Sequence, residues 1–80
     1  MQNVTGRQVR QLRVSRRPRI TQADLAHALQ LKGLKIDRAG VAKIESGYRQ
    51  VSDVELTLIA EVLGVAPGDL FWSPDDTTAG

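Results

Sequence analysis

The chain has 80 residues, 41% of them hydrophobic, with no cysteine and one histidine, which allows one compact domain with a modest core and excludes two. Without cysteine, and with His27 alone, neither disulfides nor a metal ion can staple it, so stability has to come from packing. The formal charge of +2 conceals an asymmetry: all eleven Lys and Arg lie in residues 1–50 beside only Asp24, Asp37 and Glu45, whereas residues 51–80 carry six acids and no base.

A basic segment joined to an acidic one points to a polyanionic partner on one side of the molecule. The longest apolar runs are three or four residues, far short of the roughly 20 needed to span a bilayer. The N-terminal MQNVTGRQVR lacks an apolar stretch of signal-peptide length, and the missing cysteines suit a reducing compartment, so a cytoplasmic location is expected.

Taken in chain order, four segments open with an apolar residue, a capping side chain, and a second apolar residue four places beyond the cap, as hydrophobic staples do. Val4, Thr5 and Val9 mark the first, with Gln8 at the capping-box position. Ile20, Thr21 and Leu25 mark the second. Ile36, Asp37 and Val41 mark the third, where Gly40 leaves no box. Val51, Ser52 and Leu56 mark the fourth, with Glu55 completing a Ser-x-x-Glu box. Gly33, Gly47 and Gly64 stand where helices close, and Pro18 separates the first two.

These signals predict helices over 6–15, 22–32, 38–46 and 53–63, then a short helical turn over 67–72, an all-α fold of five helices. Helical spacing nominates the core: Val9, Leu12, Leu25, Ala26, Leu29, Val41, Ile44, Leu56, Ile59, Ala60, Leu63, Leu70 and Phe71. Residues 1–73 are expected to form the domain and residues 74–80 a disordered acidic tail.

The second and third helices are short, adjacent and inside the basic segment, the layout of a helix-turn-helix whose second helix enters the major groove. The stretches TQADLAHAL, VAKIESGYRQVS and ELTLIAEVLGVAPGDLF closely resemble the phage-repressor and Cro-like family, often called XRE-type, over residues 6–71. The resemblance implies a compact lambda-repressor-like domain that binds duplex DNA and regulates transcription, as a repressor. It implies that Gln22 contacts a phosphate and braces the recognition helix, and that Ala26 lets two helices approach closely. Val41 and Ile44 would seat the recognition helix. Glu45 would pair with an arginine of the first helix, Arg13 or, failing that, Arg10. Two departures stand out: Gln30 replaces a glycine, with about five extra residues, 31–35, ahead of the recognition helix, and SRRPR expands the preceding turn.

Opposite Val41 and Ile44, the third helix presents Arg38, Ala39, Ala42, Lys43 and Ser46. Arg38 suits guanine O6 and N7, Ala39 and Ala42 suit thymine methyls, and Lys43 is a candidate for both bases and phosphates. Gln22, Arg19, Ser46 and Arg49 are the other phosphate candidates. A single such helix covers few base pairs, so a homodimer on duplex DNA is expected, with Val65, Pro67 and Trp72 as its contact.

His27 has no companions for a metal site. Ser15, Ser46 and Thr57 have no Ser-His-Asp setting, and no glycine-rich loop cradles a phosphate. An enzyme, a cofactor and a small-molecule ligand are therefore not expected. The rival readings are an XRE-type module that binds protein, in the manner of an antitoxin or antirepressor, and a nonspecific nucleic-acid binder. Tyr48 as the one aromatic in the basic half argues against stacking on single strands.

Overall fold

The computed structural model describes residues 4–70. Their order is α1 (Val4–Ser15), α2 (Gln22–Leu31), α3 (Arg38–Ser46) and α4 (Asp53–Leu63), followed by a 3-10 turn at Pro67–Leu70. There are thus four α-helices and one tighter turn rather than five helices, and no strand among the described residues. Four residues are too few for an α-helix to propagate, and the turn instead serves to drop Leu70, fully buried, into the core.

Three of the four sequence-assigned starts hold because capping is a local interaction. Thr21 accepts from the Asp24 N–H at 3.0 Å, Asp37 from Gly40 N–H at 2.8 Å and Ser52 from Glu55 N–H at 3.2 Å. Thr21 and Ser52 form full capping boxes, because Asp24 and Glu55 accept in return from the backbone N–H of their caps. The start of α1 differs. The helix already includes Val4, so Thr5 lies within it, and Gln8 spends its amide on the Asp69 carbonyl at 3.2 Å, tying α1 to the 3-10 turn instead of closing a box.

Gly47 and Gly64 close α3 and α4 in the left-handed region, φ +91° and +72°, where a side chain would be strained. Arg16 adds a second closure, donating to the Leu63 carbonyl at 2.6 Å and placing a cation at the negative end of α4.

The core joins one face of every element: Val9 from α1, Leu25, Ala26 and Leu29 from α2, Val41 and Ile44 from α3, Ile59, Ala60 and Leu63 from α4, and Leu70. Leu12 and Leu56 pack at its edge, half-buried. Ile36, ahead of α3, is buried too and lies so close over Gly40 that a Cβ there would meet its Cγ1 at 2.6 Å. Gly40 therefore gives up a capping box but admits the apolar residue that pins the start of α3. Phe71 and the 74–80 tail lie outside the described residues.

Both box carboxylates titrate below their ordinary values. For Asp24 the backbone and side-chain hydrogen bonds of Thr21 are responsible. Burial pushes Glu55 upward, but the hydrogen bonds from Ser52 and the Arg49 guanidinium more than offset it. A carboxylate depressed in the folded state stabilises the fold above its unfolded pKa and loses that contribution as pH falls through the folded value. Thermal unfolding should accordingly show a Tm that is level at neutral pH and declines below about pH 4.5, the ordinary glutamate value. Glu55→Gln should shrink that decline, and an unchanged acid limb would remove Glu55 from the account.

Candidate nucleic-acid interface

The centre of the site is a buried ion pair joining three helices. Arg13 of α1 donates through Nε to Glu45 Oε2 at 2.7 Å and through Nη2 to Oε1 at 3.0 Å, a two-pronged geometry that only a guanidinium supplies. The side chains are 8% and 4% exposed. Arg13 Nη1 also donates to the Ile20 carbonyl at 3.0 Å, reaching the residue before the cap of α2. Gln22, first residue of α2, donates through Nε2 to Glu45 Oε1 at 3.0 Å. Hence α1, the start of α2 and the last turn of α3 share one carboxylate, and the rotation of α3 about its axis is fixed by a polar network rather than by Val41 and Ile44 alone.

With Glu45 turned inward, Ala39 and Lys43 are exposed on the far side of α3, Arg38 is exposed at its first position, Ser46 is exposed at its last and Ala42 is half-buried. Ser46 donates to the Lys43 carbonyl at 3.3 Å, so its hydroxyl is held within the helix. The α2 flank of α3 carries two connected clefts. The larger, about 490 Å³, is lined by Arg10, Arg19, Thr21, Gln22 and Arg38 among others. The smaller, about 240 Å³, shares Arg10 and Gln22 with it and is otherwise lined by Ala42, Glu45 and Ser46. Arg38 thus lines a cleft toward α2 rather than standing alone on the outer face of α3.

Arg49, expected at a phosphate, is instead tied to Glu55, Nη2 to Oε2 at 2.5 Å, and its Nη1 is buried without a hydrogen-bond partner. The pair spans the α3–α4 connection. Val65, expected as part of an exposed contact, is half-buried and packs on its own core; Pro67 is exposed, and Trp72 lies outside the described residues.

Arg10, which the resemblance offered only as an alternative to Arg13, lines both clefts and was not among the residues expected there. Its spacing carried a signal. Positions 10 and 13 are one helical step apart and share a face, so an Arg13 directed at α2 and α3 brings Arg10 to their rim.

The extra residues before α3 form an ordered turn: Lys32 N–H donates to the Leu29 carbonyl, Gly33 N–H to Gln30, and Gln30 Nε2 to the Ile36 carbonyl at 2.7 Å. Gln30, in place of the family's glycine, thus holds the longer connection in shape. On that side of α3 the connection leaves a groove of about 710 Å³ between Leu34, Ile36 and Arg49. No helix among the described residues is long and apolar enough to cross a membrane.

A helix-turn-helix family model matches residues 9–70. No curated protein and no solved structure matches the chain.

The shared carboxylate yields a stability test. Arg13→Met strands a buried charge and should cost about 3–5 kcal/mol, whereas the double variant with Glu45→Gln should lose less than the sum of the two singles by more than about 0.5 kcal/mol. Additive losses in thermal or urea unfolding would mean that the pair is not coupled in solution.

Proposed function

Because the chain belongs to the helix-turn-helix family of XRE type, similar to Cro and the phage repressors, a family of DNA-binding regulators that are generally not enzymes, we propose that it recognises specific duplex DNA sequences and represses transcription in the cytoplasm. The observation that carries this reading is the orientation of α3. Its acid is locked inward on Arg13 and Gln22, and its outer face is open and basic. An α-helix with its side chains is about 10–12 Å across, a fit for a major groove roughly 12 Å wide. Ala39 and Ala42 approach thymine methyls and Lys43 a base acceptor, while Ser46 and Gln22 lie toward the backbone.

Specificity of use in a genome needs more base pairs than one such helix spans, so two copies bind a near-palindromic site with half-sites about 34 Å apart. The end of the domain beyond α4, with Pro67 exposed and Trp72 following, is where the copies meet. The rival reading, a module that binds protein, draws on Tyr48 and Val54, which are 89% and 69% exposed. Large uncovered apolar side chains suit a protein partner as well as they suit a duplex.

Salt dependence separates the readings. The exposed cations on the α3 side are Arg10, Arg19, Arg38 and Lys43. If these cations neutralise about two to four phosphates between them, log Kd against log salt should change with a slope of magnitude about 1.8–3.6 per bound subunit. Selection from random duplexes, followed by titration at two salt concentrations, should give that slope together with one preferred site. A slope near zero would sink the DNA reading, and a steep slope without sequence preference would leave a nonspecific binder. Sedimentation with and without the selected duplex tests the dimer, which one subunit per site would overturn.

A further inference from the structure

The larger cleft beside α3 carries an assignment of its own. Resting on the duplex-DNA reading, we propose that Arg10, Arg19 and Arg38 together seat one backbone phosphate, and that Arg38 serves this seat rather than a base edge.

The three arginines come from three different places in the chain: the middle of α1, the expanded turn before α2, and the first position of α3. Folding brings all three to the wall of one cleft. All are exposed, so none is needed to fill the core. Like charges gathered around one space repel, and a fold tolerates that where an anion comes to occupy it.

The neighbouring acids are already committed. Glu45 is buried and takes bonds from Arg13 and Gln22 on both oxygens. Asp24 accepts from the Thr21 backbone and Asp37 from the Gly40 backbone. None of the ion pairs among the described residues involves Arg10, Arg19 or Arg38. A guanidinium presents planar pairs of N–H donors that match phosphate oxygens, and three arranged around a cleft can share the oxygens of one phosphodiester. Arg10 also lines the smaller cleft with Ala42 and Ser46, so the seated phosphate would adjoin the α3 surface that meets the bases. That arrangement sets how deep α3 enters the groove, and it leaves base discrimination to Ala39, Ala42 and Lys43.

The test pairs protein variants with duplexes in which single phosphates are replaced by uncharged methylphosphonates, one position at a time across the selected site. One position should weaken the wild type about tenfold yet weaken Arg10→Ala by clearly less, because that variant has already lost part of the same contact. Arg19→Ala should likewise lose less than the wild type at that same position. Arg38→Ala should weaken binding to every base variant of the site by a common factor. Circular dichroism melts of the three variants should match the wild type, since all three side chains are solvent-facing. The seat is overturned if methylphosphonate and Arg10→Ala losses multiply independently at every position, or if the loss in Arg38→Ala is confined to one base pair. Absence of any duplex binding by the wild type would instead overturn the function on which the seat rests, so the two failures are distinguishable.

Discussion

The buried carboxylate of Glu45 is the constraint around which the reading surface is organised. A charge that far from water is tolerable only if its oxygens are fully engaged, and here they are met by the Arg13 fork and the Gln22 amide. Each donor belongs to a different helix, so satisfying the charge requires α1, α2 and α3 to take one mutual arrangement. Apolar contacts alone are forgiving of small rotations, because a helix face of Val and Ile packs nearly as well a few degrees away. Two parallel hydrogen bonds are not. The pair therefore contributes orientation more than stability, and orientation is what the base-reading role proposed for α3 requires.

Arg10 and Arg13 of α1 and Arg16 just past its end stand at three-residue spacing, and their fates differ according to what the fold sets opposite them. Arg13 meets Glu45 and is buried. Arg16 meets the carbonyl end of α4 at Leu63. Arg10 is in none of the described ion pairs and opens onto the two clefts beside α3, the smaller of which Glu45 also lines. One side-chain type at one spacing thus yields an orienting pair, a helix closure and an unneutralised cation. Residue identity alone does not separate these roles; the neighbours that folding supplies do.

That contrast explains what was legible in the sequence. The starts of α2, α3 and α4 depend on partners within three or four residues, so Thr21, Asp37 and Ser52 could be read from local pattern, and α3 and α4 fall at the expected boundaries. The start of α1 was misread because the partner of Gln8 is 61 residues away, at Asp69. Ile36 was absent from the expected core because it lies outside any helical period, yet the missing side chain of Gly40 makes room for it. Arg49 looked like a free cation because its partner Glu55 lies in the acidic half, across a helix boundary. The grouping of Arg10, Arg19 and Arg38 had no local signature at all, since it exists only once three elements are in place.

The segregation of charge takes on a different meaning in the fold. Most described acids are held close to a compensating group: Glu45 by Arg13, Glu55 by Arg49, Glu61 by Lys32 at 3.5 Å, and Asp24, Asp37 and Asp69 by backbone N–H groups. A carboxylate at a helix start is balanced in part by the positive end of that helix, so its field outside the molecule is weakened. Arg10, Arg19, Arg38 and Lys43 are in none of the described ion pairs. A formal net charge of +2 therefore understates the potential on the α3 side, where uncompensated cations surround the clefts and the acids are turned inward or toward backbone. A polyanion approaching that side meets a field set by those four cations rather than by the small net charge, and such a field both speeds encounter and orients the approach. The orientation fixed internally by Glu45 and the attraction generated externally by the arginines are thus two consequences of one partition, in which acids are consumed by the fold and cations are left for the partner.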